Sequence, residues 1–534
     1  MTRDFNIQSV AIVGAGAAGL TTLFELLHTK RDGSTTIAYD SNGEIDESKI
    51  PNAYPAFTKV VSFEQNSQVG GIWSPSFDDP DVIPQELFDT EKYDDPWILK
   101  PRTSVPQEIS KTDQDYSYLK PLITSDNGPH GLNWAKSGIY RHLFSNVPGR
   151  YLRTSFIPYR QRRSSNSLLH PLVTNYEVTD GLLSFTKRFD LQRHIRLNSE
   201  IVEIIKVDNK WKLTVKETVG DKVKWYTEFF DGVIVSTGHY SIPYLPRLPG
   251  LSQWNAKFKS SVFHSKSFRD PSIFKDKNVL FVGTGLSGLD ILQYAFPIAK
   301  SVTVSRSVNK EEIYPWLSKA AVSDGINVKP HVKEFEPNNN REIVFEDGTS
   351  IENVDYVVFS RGYHWHYPFL NERDTGVSVL AAGHKKVPDG SSMVDGLFLN
   401  IFTIRDPTLT FNGVTLTPLK WPSFEITASA IAGVWTNRTR LPLPQEQLDY
   451  SDKKKKDVGQ NLVYHYYPPG FFKEYVNQLR GYLPTGRNPS DIYDTNHLDD
   501  LKDSFTVAEN LFYQYKEGKI PITGSLEALQ VNKL

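Results

Sequence analysis

The segment VLFVGTGLSGLD, residues 279–290, predicts a buried strand, a glycine-rich turn and the start of a helix. A segment of the same form, VAIVGAGAAGL, occupies residues 10–20. The first glycine of such a fingerprint permits a tight turn, the second lets backbone approach a pyrophosphate, and the third lets the helix pack on the strand. The helix N-terminus then offers free N–H groups to phosphates. Residues 10–20, the first fingerprint, and residues 279–290, the second fingerprint, therefore predict two dinucleotide sites in one chain.

Each fingerprint is followed by a second strand and later by a buried strand that ends in a glycine turn. KVVSFEQ (59–65) closes the first unit after a polar insertion at about residues 31–58, and DGVIVSTG (231–238) follows it. In the second unit these strands are SVTVSRS (301–307) and VDYVVFSRGY (354–363). The two halves therefore predict two strand–helix–strand folds of the nucleotide-binding type.

The composition excludes several classes of protein. The 534 residues carry a formal net charge of −2 and are 39% hydrophobic, which predicts folded domains and no nucleic-acid partner. There is no cysteine, so disulfides, thiolate metal sites and cysteine nucleophiles are excluded. No apolar run is long enough to cross a bilayer. We expect a cytoplasmic protein with no membrane partner, and the C-terminal tripeptide Asn-Lys-Leu makes the peroxisome the alternative.

Polar residues after the second strands suggest which dinucleotides bind. Glu64 lies at the end of the strand in KVVSFEQ, where an acid holds a ribose hydroxyl, and the polar insertion explains its distance from the first fingerprint. Arg306 follows the strand in SVTVSRS and stands between Ser305 and Ser307. This setting suits a 2′-phosphate and favours NADPH over NADH. A surface arginine at a strand end is the alternative. FAD with NADPH is the economical pair, because hydride passes from nicotinamide to flavin.

These strands predict an α/β fold with two Rossmann-like dinucleotide-binding domains, the NADPH domain being inserted in the FAD domain. The predicted boundaries are 1–240 for the first part of the FAD domain, 241–365 for the NADPH domain, and 366–534 for the second part of the FAD domain with a C-terminal helical segment. Residues 195–230 alternate as a β-meander, and residues 74–135 predict long loops with short helices.

Three classes of enzyme use this plan, and the missing cysteines exclude the disulfide reductases. The other two are simple NAD(P)H oxidoreductases and flavin monooxygenases. FKSSVFHSKSF, residues 258–268, resembles F-x-G-x-x-x-H-x-x-x-[YF], the signature of the flavin-containing monooxygenase family. Ser260 stands where that family has glycine, and Arg361 in FSRGY stands where it has threonine. The related Baeyer–Villiger signature ends in tryptophan, so Phe268 favours the former family.

Further segments match the family in order and resemble its soluble microbial and fungal-type members. They are SFEQNSQVGGIW (62–73), YRHLFSNVPGRYL (140–152), VSTGHYSIPYLP (235–246) and DPTLTFNGV (406–414). The resemblance places the active-site asparagine of the family on Asn146 as the catalytic residue. The residues that it assigns to cofactor binding are Gly14, Gly16, Ala17, Gly19, Glu64, Gly71, Ile72, Trp73, Leu143, Ser145, Asn146, Ile201, Thr237, Gly238, Gly283, Thr284, Gly285, Leu286, Ser287, Gly288, Ser305 and Arg306.

The resemblance implies that NADPH reduces FAD, that oxygen adds to the flavin as a C4a-hydroperoxide, and that a small sulfur or nitrogen compound takes one oxygen atom. Only two methionines are present, and this sulfur-poor composition favours a sulfur substrate. The alternatives are a Baeyer–Villiger or N-hydroxylating monooxygenase, or an NADPH oxidase-like flavoprotein that releases hydrogen peroxide. The expected partners are the small substrate and O2, and a homodimer is kept open.

Two histidines, His364 and His366, lie two positions apart in YHWHYPF. On an extended segment both would point to the same side, but no third ligand is visible in the sequence. We therefore predict an aromatic wall between the domains and no metal site.

Overall fold

The structure is a computed structural model, which describes residues 4–41, 43–75, 83, 85, 88, 104–110, 116–125, 136–157, 167–307, 312, 314–380, 392–489 and 498–521. The strands are β1 Ser9–Val13, β2 Lys59–Phe63, β3 Leu122–Ser125, β4 Ile195–Arg196, β5 Ser199–Val207, β6 Lys210–Val219, β7 Lys222–Phe230, β8 Gly232–Val235, β9 Ile242–Pro243, β10 Val262–His264, β11 Asn278–Val282, β12 Ser301–Ser305, β13 Asn327–Lys329, β14 Val332–Glu336, β15 Glu342–Phe345, β16 Ser350–Ile351, β17 Tyr356–Phe359, β18 Tyr363–His364, β19 Ser378–Leu380, β20 Met393–Asp395, β21 Leu397–Phe398, β22 Phe402–Thr403 and β23 Leu409–Phe411. The α-helices are α1 Ala17–Leu27, α2 Gln107–Ser110, α3 Asn175–Arg188, α4 Leu251–Lys257, α5 Leu286–Ala295, α6 Pro315–Ala321, α7 Glu372–Thr375, α8 Lys420–Trp435, α9 Pro444–Val458, α10 Phe472–Arg480 and α11 Leu498–Lys516.

The first fingerprint lies at the carboxyl ends of the parallel strands of the first sheet. In the described part of the chain the strand order of this sheet is β21-β22-β23-β8-β1-β2-β4, and the strands from β23 to β4 pair in parallel. Val10, Ala11 and Ile12 of the central strand β1 have no exposed surface. A continuous apolar run of this kind is typical of a parallel strand that is covered on both faces. Helices α1 and α8 pack on each other on one side of this sheet.

The second sheet carries the second fingerprint and is built in the same way. Its order, within the residues described, is β10-β17-β11-β12-β13, and all of these strands are parallel. Strand β11 has the sequence NVLFV, and its last four residues are buried. The two parallel sheets confirm the predicted α/β class with two Rossmann-type units.

The chain crosses between the two sheets twice, and the two crossing segments pair with each other. Strand β9 follows the first sheet, β18 follows the second, and they form an antiparallel ribbon in which Tyr363 lies opposite Pro243 and His364 opposite Ile242. This ribbon holds together the two segments that connect the two sheets.

An antiparallel sheet with the order β3-β7-β6-β5 contains the predicted meander. The sequence analysis interpreted residues 74–135 as loops with short helices, and for β3 this is wrong. Leu122 to Ser125 pair with β7, and these four residues alternate between partly buried and exposed. The strand depends on a partner about a hundred residues away, which a local pattern does not reveal. Most of residues 74–135 lie outside the described residues.

The C-terminal part of the chain is largely helical in the described residues, and it packs beside both sheets. Helix α8 packs on α1, whereas α11 packs on α5 and α6 beside the second sheet. Arg487 lies after α10, and its guanidinium donates to the carboxylates of Glu25 in α1 and Glu425 in α8. The three side chains of this cluster have no exposed surface. The division into domains at residues 240 and 365 stays a prediction.

Candidate functional site

The first fingerprint forms a tight loop at the carboxyl edge of the first sheet. Gly14 has a φ of 102°, which favours glycine. A Cβ atom on Gly14 would lie 2.8 Å from the carbonyl oxygen of Ser236, the residue after β8. Gly19 in α1 lies against the Gly14 carbonyl, with no room for a side chain. The loop is therefore held close to the neighbouring strand, and only glycine fits at both positions.

Helix α1 begins at Ala17 with no side chain capping its first turn, because Gly16 is the N-cap residue. The first N–H groups of a helix have no partner within the helix. They carry the positive end of the helix dipole, and they suit a phosphate. The residues present at the first fingerprint therefore fit the diphosphate of a dinucleotide.

The second fingerprint repeats this geometry in detail. Gly283 also has a φ of 102°, and a Cβ atom there would lie 2.7 Å from the carbonyl oxygen of Ser360, the residue after β17. Gly285 caps α5 without a side-chain hydrogen bond. A Cβ atom on Gly288 would lie 2.5 Å from the Gly283 carbonyl oxygen. The second site therefore fits a diphosphate for the same reasons as the first.

Glu64 follows β2 and is buried beside the first fingerprint. Its carboxylate accepts hydrogen bonds from the backbone N–H of Ala15, at 2.9 Å, and of Asn66, at 3.0 Å. Burial raises the pKa of Glu64, while these backbone hydrogen bonds oppose the rise. The carboxylate therefore lies at the edge where the prediction puts a ribose, with its position fixed by the loop.

The segment Gly70–Trp73 lies next to the first fingerprint. Gly70 donates its N–H to the Ala15 carbonyl, at 2.9 Å, and the backbone of Gly71 lies 3.5 Å from where a Cβ of Gly16 would be. Ser137 donates its hydroxyl to the carbonyl of Ile72. These contacts bring the predicted residues Gly71, Ile72 and Trp73 to the first site.

Asn146 lies in a loop whose backbone is fixed on both sides. Ser145 donates its hydroxyl to the Val147 carbonyl, at 2.7 Å, and its N–H to the Val173 carbonyl, at 2.7 Å. Asn146 itself is exposed, and no hydrogen bond to its side chain occurs in the described part of the chain. Its amide is therefore available to a bound molecule.

Three predicted side chains of the second site bond within the protein. The guanidinium of the buried Arg306 donates to the carbonyl of Ser318, at 3.1 Å, and the hydroxyl of Ser305 donates to the carbonyl of Pro330, at 2.9 Å. Thr284 donates its hydroxyl to Glu312, at 2.6 Å. The Cδ atom of Arg361 lies 3.3 Å from the position that a Cβ atom added to Gly283 would take. This departure from the family signature therefore lies beside the second fingerprint.

The remaining predicted residues divide between the two sheets. Thr237 and Gly238 follow β8, and Gly238 has a φ of 69°. Ile201 is buried in β5, in one hydrophobic cluster with Val13 and Phe63 of the first sheet. Leu143 packs instead on the hydrophobic cluster of the second sheet. Leu286 and Ser287 form the first turn of α5, and Ser287 is exposed.

An aromatic wall lies where the chain crosses between the sheets. The rings of His239 and Trp365 have centroids 4.3 Å apart, and those of Tyr240 and Tyr363 are 5.4 Å apart. His264 of the family signature is fully buried, and its Nδ1 accepts from the Lys266 N–H at 3.1 Å. Among the described residues no group of three His, Cys, Asp or Glu side chains is placed to hold a metal ion.

Lys420 is a residue near this wall that the sequence analysis did not single out. It is the first residue of α8, and its Nζ donates to the carbonyls of Gly413, at 2.8 Å, and Thr415. A lysine at the start of an apolar helix is not part of a recognisable motif, so only the folded structure shows what surrounds it.

Ser260 adopts a left-handed backbone conformation with a φ of 64°. This conformation explains why the family signature has glycine at this position, since glycine adopts it without steric cost. The serine therefore keeps the geometry of the signature at some cost in backbone energy.

Comparison with known proteins agrees with this geometry. A family model described as "FMO-like: Flavin-binding monooxygenase-like" matches residues 135–316 and 308–387. The flavin-containing monooxygenase ustF2 of Aspergillus flavus is 26% identical over 500 residues, which cover 90% of this chain and 92% of that protein. The flavin-containing monooxygenase FMO GS-OX5 of Arabidopsis thaliana is 26% identical over 484 residues, covering 89% and 84%.

Solved structures share the fold over nearly the whole chain. The S-allyl-L-cysteine S-oxygenase of Allium sativum has a TM-score of 0.63 at 22% identity and covers 98% of this chain and 96% of its own. Tmm from Pelagibacter sp. strain HTCC7211 has a TM-score of 0.60 at 19% identity, covering 96% and 91%. No helix among the residues described is long and apolar enough to span a membrane. The chain is therefore similar over most of its length to flavin-containing monooxygenases, whose members use FAD and NADPH, and its two fingerprints fit two dinucleotides.

Proposed function

We propose that this chain is an FAD- and NADPH-dependent monooxygenase that inserts one oxygen atom of O2 into a small sulfur or nitrogen compound. The observation that carries the proposal is the repeated geometry of the two fingerprints, each at the carboxyl edge of its own parallel sheet. In open sheets of this kind ligands bind outside the carboxyl ends of the strands. The ribbon of β9 and β18 ties the two crossing segments together, so that two dinucleotides can share one cleft.

The first site is proposed for FAD. The uncapped first turn of α1 receives the diphosphate, and Glu64 holds ribose hydroxyls with the lone pairs that its backbone contacts leave free. When bound, FAD supplies the redox and oxygen chemistry, so the chain needs no catalytic metal or carboxylate pair. The role left to the protein is to position the substrates and to keep water out.

The second site is proposed for NADPH. The uncapped first turn of α5 receives the diphosphate, and the side chain of Arg361 starts beside the same loop and brings a further cation to this region. Arg306 stands at the end of β12, where the adenosine ribose of a Rossmann fold lies. A guanidinium at this position suits a 2′-phosphate, which NADH lacks, because it presents several N–H donors in a fixed geometry.

Asn146 is proposed as the polar group at the reacting end of the cleft. An amide side chain both donates and accepts hydrogen bonds, and it does not ionise at neutral pH. Its backbone is fixed by the two contacts of Ser145, while its side chain stays free to bind. This combination supports a positioning contact to cofactor or substrate.

A sulfur substrate is favoured over nitrogen for two reasons. The chain has no cysteine and only two methionines, so it offers little sulfur to a reactive oxygen species formed in its own site. The fold is also that of the garlic S-allyl-L-cysteine S-oxygenase.

The test is product analysis with the FAD-loaded enzyme, NADPH and O2. A thioether, a tertiary amine and a cyclic ketone are each supplied, and NADPH, O2, hydrogen peroxide and product are measured together. We expect one NADPH and one O2 to be consumed for each sulfoxide or N-oxide formed, with the thioether turned over fastest.

Other outcomes of this experiment would reject the proposal. A lactone from the ketone with no heteroatom product would indicate a Baeyer–Villiger enzyme. A hydroxylated primary amine, tested in parallel, would indicate an N-hydroxylating enzyme. Peroxide equal to the NADPH consumed with every compound would indicate an oxidase.

A further inference from the structure

Lys420 places an amino group that can carry a positive charge at the carboxyl edge of the first sheet. It follows β23, and its Nζ is bonded to the carbonyl oxygens of Gly413 and Thr415. Its side chain also lies over the Phe424 ring, with Nζ 5.7 Å from the ring centroid. These two carbonyl oxygens and this ring are direct contacts of the Lys420 amino group, and all three are neutral.

Among the residues that the structure describes, no anion pairs with Lys420. Lys420 is also the first residue of α8, where the helix dipole disfavours a cation. Burial lowers the pKa of Lys420 to about 7, so the ammonium is easily lost unless an anion stabilises it. A lysine at this position is therefore costly for the protein alone.

The titratable groups around Lys420 do not supply the missing anion. His239 and His465 are buried, and burial is the main cause that lowers their pKa values, so both are neutral at pH 7. Glu25 of α1 and Glu425 of α8 itself are both bound to Arg487. Tyr475 of α10, which packs on α8, bonds to Thr415 and Thr427. Arg150, in the short turn that also contacts α8, pairs with Asp500.

The segment that holds Lys420 lies directly beside the first fingerprint. Asn412 donates its N–H to the carbonyl of Val235, the last residue of β8, and its side chain donates to Thr22 in α1. A Cβ atom on Gly413 would lie 4.0 Å from the Cβ of Ala18 in the first turn of α1. Lys420 is therefore tied to the same loop edge as the proposed FAD site.

Lys420 also lies near the segments that cross between the two sheets. Its charge is close enough to lower the pKa of His239, whose ring contacts Trp365 in the segment after β18. A flavin ring that exchanges hydride with a nicotinamide has to lie near these segments, whereas the diphosphate lies at the start of α1. The charge is therefore placed for the ring and not for the phosphates.

We propose that Lys420 is the counter-charge of the reduced flavin ring and takes up a proton when the ring is reduced. The inference rests on the proposed function. Hydride transfer from NADPH gives the flavin two electrons and one proton, leaves NADP⁺, and makes the flavin more negative by one charge. The compensating proton comes from solvent and binds the Lys420 amine, so that an ammonium faces the anionic ring.

The test measures the flavin and not the turnover. Holoenzyme is titrated with sulfite, which adds to the flavin ring and leaves it anionic, and the reduction potential is measured with a chemical reductant against a reference dye. We expect Lys420→Met to weaken sulfite binding at least tenfold and to lower the potential accordingly. Tenfold in an equilibrium constant corresponds to about 30 mV for two electrons.

Two further variants control for charge and for burial. Lys420→Arg keeps the charge and should stay within about threefold of the native sulfite affinity. Lys516→Met removes another lysine whose Nζ binds a backbone carbonyl, that of Asp324 beside the second sheet, and should leave both quantities unchanged. Native sulfite affinity and potential in Lys420→Met would overturn the proposal. Weakened FAD retention with a native potential would also overturn it, because the charge would then serve the diphosphate.

A measurement on the native chain covers the case in which Lys420→Met does not retain FAD. The dependence of the potential on pH gives the number of protons taken up with two electrons. We expect two protons between pH 7 and 8, one on the flavin and one on Lys420, and one proton would overturn the proposal. A native protein that binds no FAD would instead reject the proposed function.

Discussion

Ser260 shows how one residue can depart from a family signature and keep its geometry. Its φ of 64° is the conformation for which the family has glycine. Glu64 was predicted from sequence because it ends a strand, and the intervening insertion did not hide it. Lys420 was not predicted, because its significance depends on the carbonyls of Gly413 and Thr415. A residue whose role is set by its neighbours in space leaves no pattern in the sequence.

Replacing Ser260 by glycine should stabilise the protein. Glycine removes the steric cost of the left-handed conformation, and this gain exceeds the added entropy of the unfolded chain, so we expect about 0.5–1 kcal/mol. The measurement is the midpoint of unfolding of the FAD-loaded protein. Ser261→Gly is the control and should destabilise, because the Ser261 hydroxyl bonds to Trp254 and to the Phe258 carbonyl. A lower midpoint for Ser260→Gly would contradict the backbone argument.

Asn146→Ala should retain FAD and lose substrate-dependent consumption of NADPH. The loop backbone is fixed by Ser145, so removing the exposed amide leaves the fold and the first site intact. The visible spectrum reports FAD, and the rate of NADPH oxidation with and without a thioether reports the coupling. Asn209→Ala, an exposed asparagine at the turn between β5 and β6, is the control. Normal sulfoxide formation by Asn146→Ala would remove its assignment.

The strand–turn–helix element occurs twice with one geometry, and this level of structure was predictable from sequence. Apolar runs, glycine spacing and helical periodicity are local signals, and both fingerprints formed where they were predicted. Strand β3 was missed because its stability comes from β7. The packing of α11 on α5 likewise depends on a distant partner. Long-range pairing is therefore what the sequence left undetermined.

Single mutations should impair the two fingerprints independently of each other. In Gly283→Ala the new Cβ would meet the carbonyl oxygen of Ser360, at 2.7 Å, and the loop would have to shift. We expect the rate at which NADPH reduces the flavin of this variant to fall at least tenfold, while FAD stays bound. In Gly14→Ala the same clash with Ser236 should instead release FAD. Gly181→Ala in α3, where the new Cβ meets nothing within 4 Å, is the control for both.

Loss of FAD from Gly283→Ala, with NADPH binding intact in Gly14→Ala, would reverse the two assignments. Stopped-flow reduction under nitrogen and the ratio of flavin to protein absorbance measure the two effects independently.

The whole molecule should lose stability in acid because several histidines are buried in neutral form. Burial lowers the pKa of His28 to about 4 and those of His264 and His465 to about 3. Below pH 6.5 the unfolded chain therefore binds more protons than the folded chain, and stability falls as pH falls. One such histidine contributes about 1.4 kcal/mol per pH unit down to its folded pKa.

His28 provides the check on this sign. Its Nδ1 lies 2.6 Å from the Phe24 carbonyl, an acceptor that an amide N–H can also reach. We expect His28→Gln to lose less stability than the native protein between pH 6.5 and 5, in thermal unfolding at constant ionic strength. An identical pH dependence would show that His28 titrates equally in both states.

At the scale of the whole molecule, the account requires that two dinucleotides meet on one chain. The most direct measurement is the visible spectrum of the purified protein before and after NADPH is added under nitrogen. We predict one bound FAD per chain and bleaching of its absorbance by NADPH much faster than by NADH. A colourless protein that takes up no FAD, or a yellow one that NADPH does not bleach, would contradict the account.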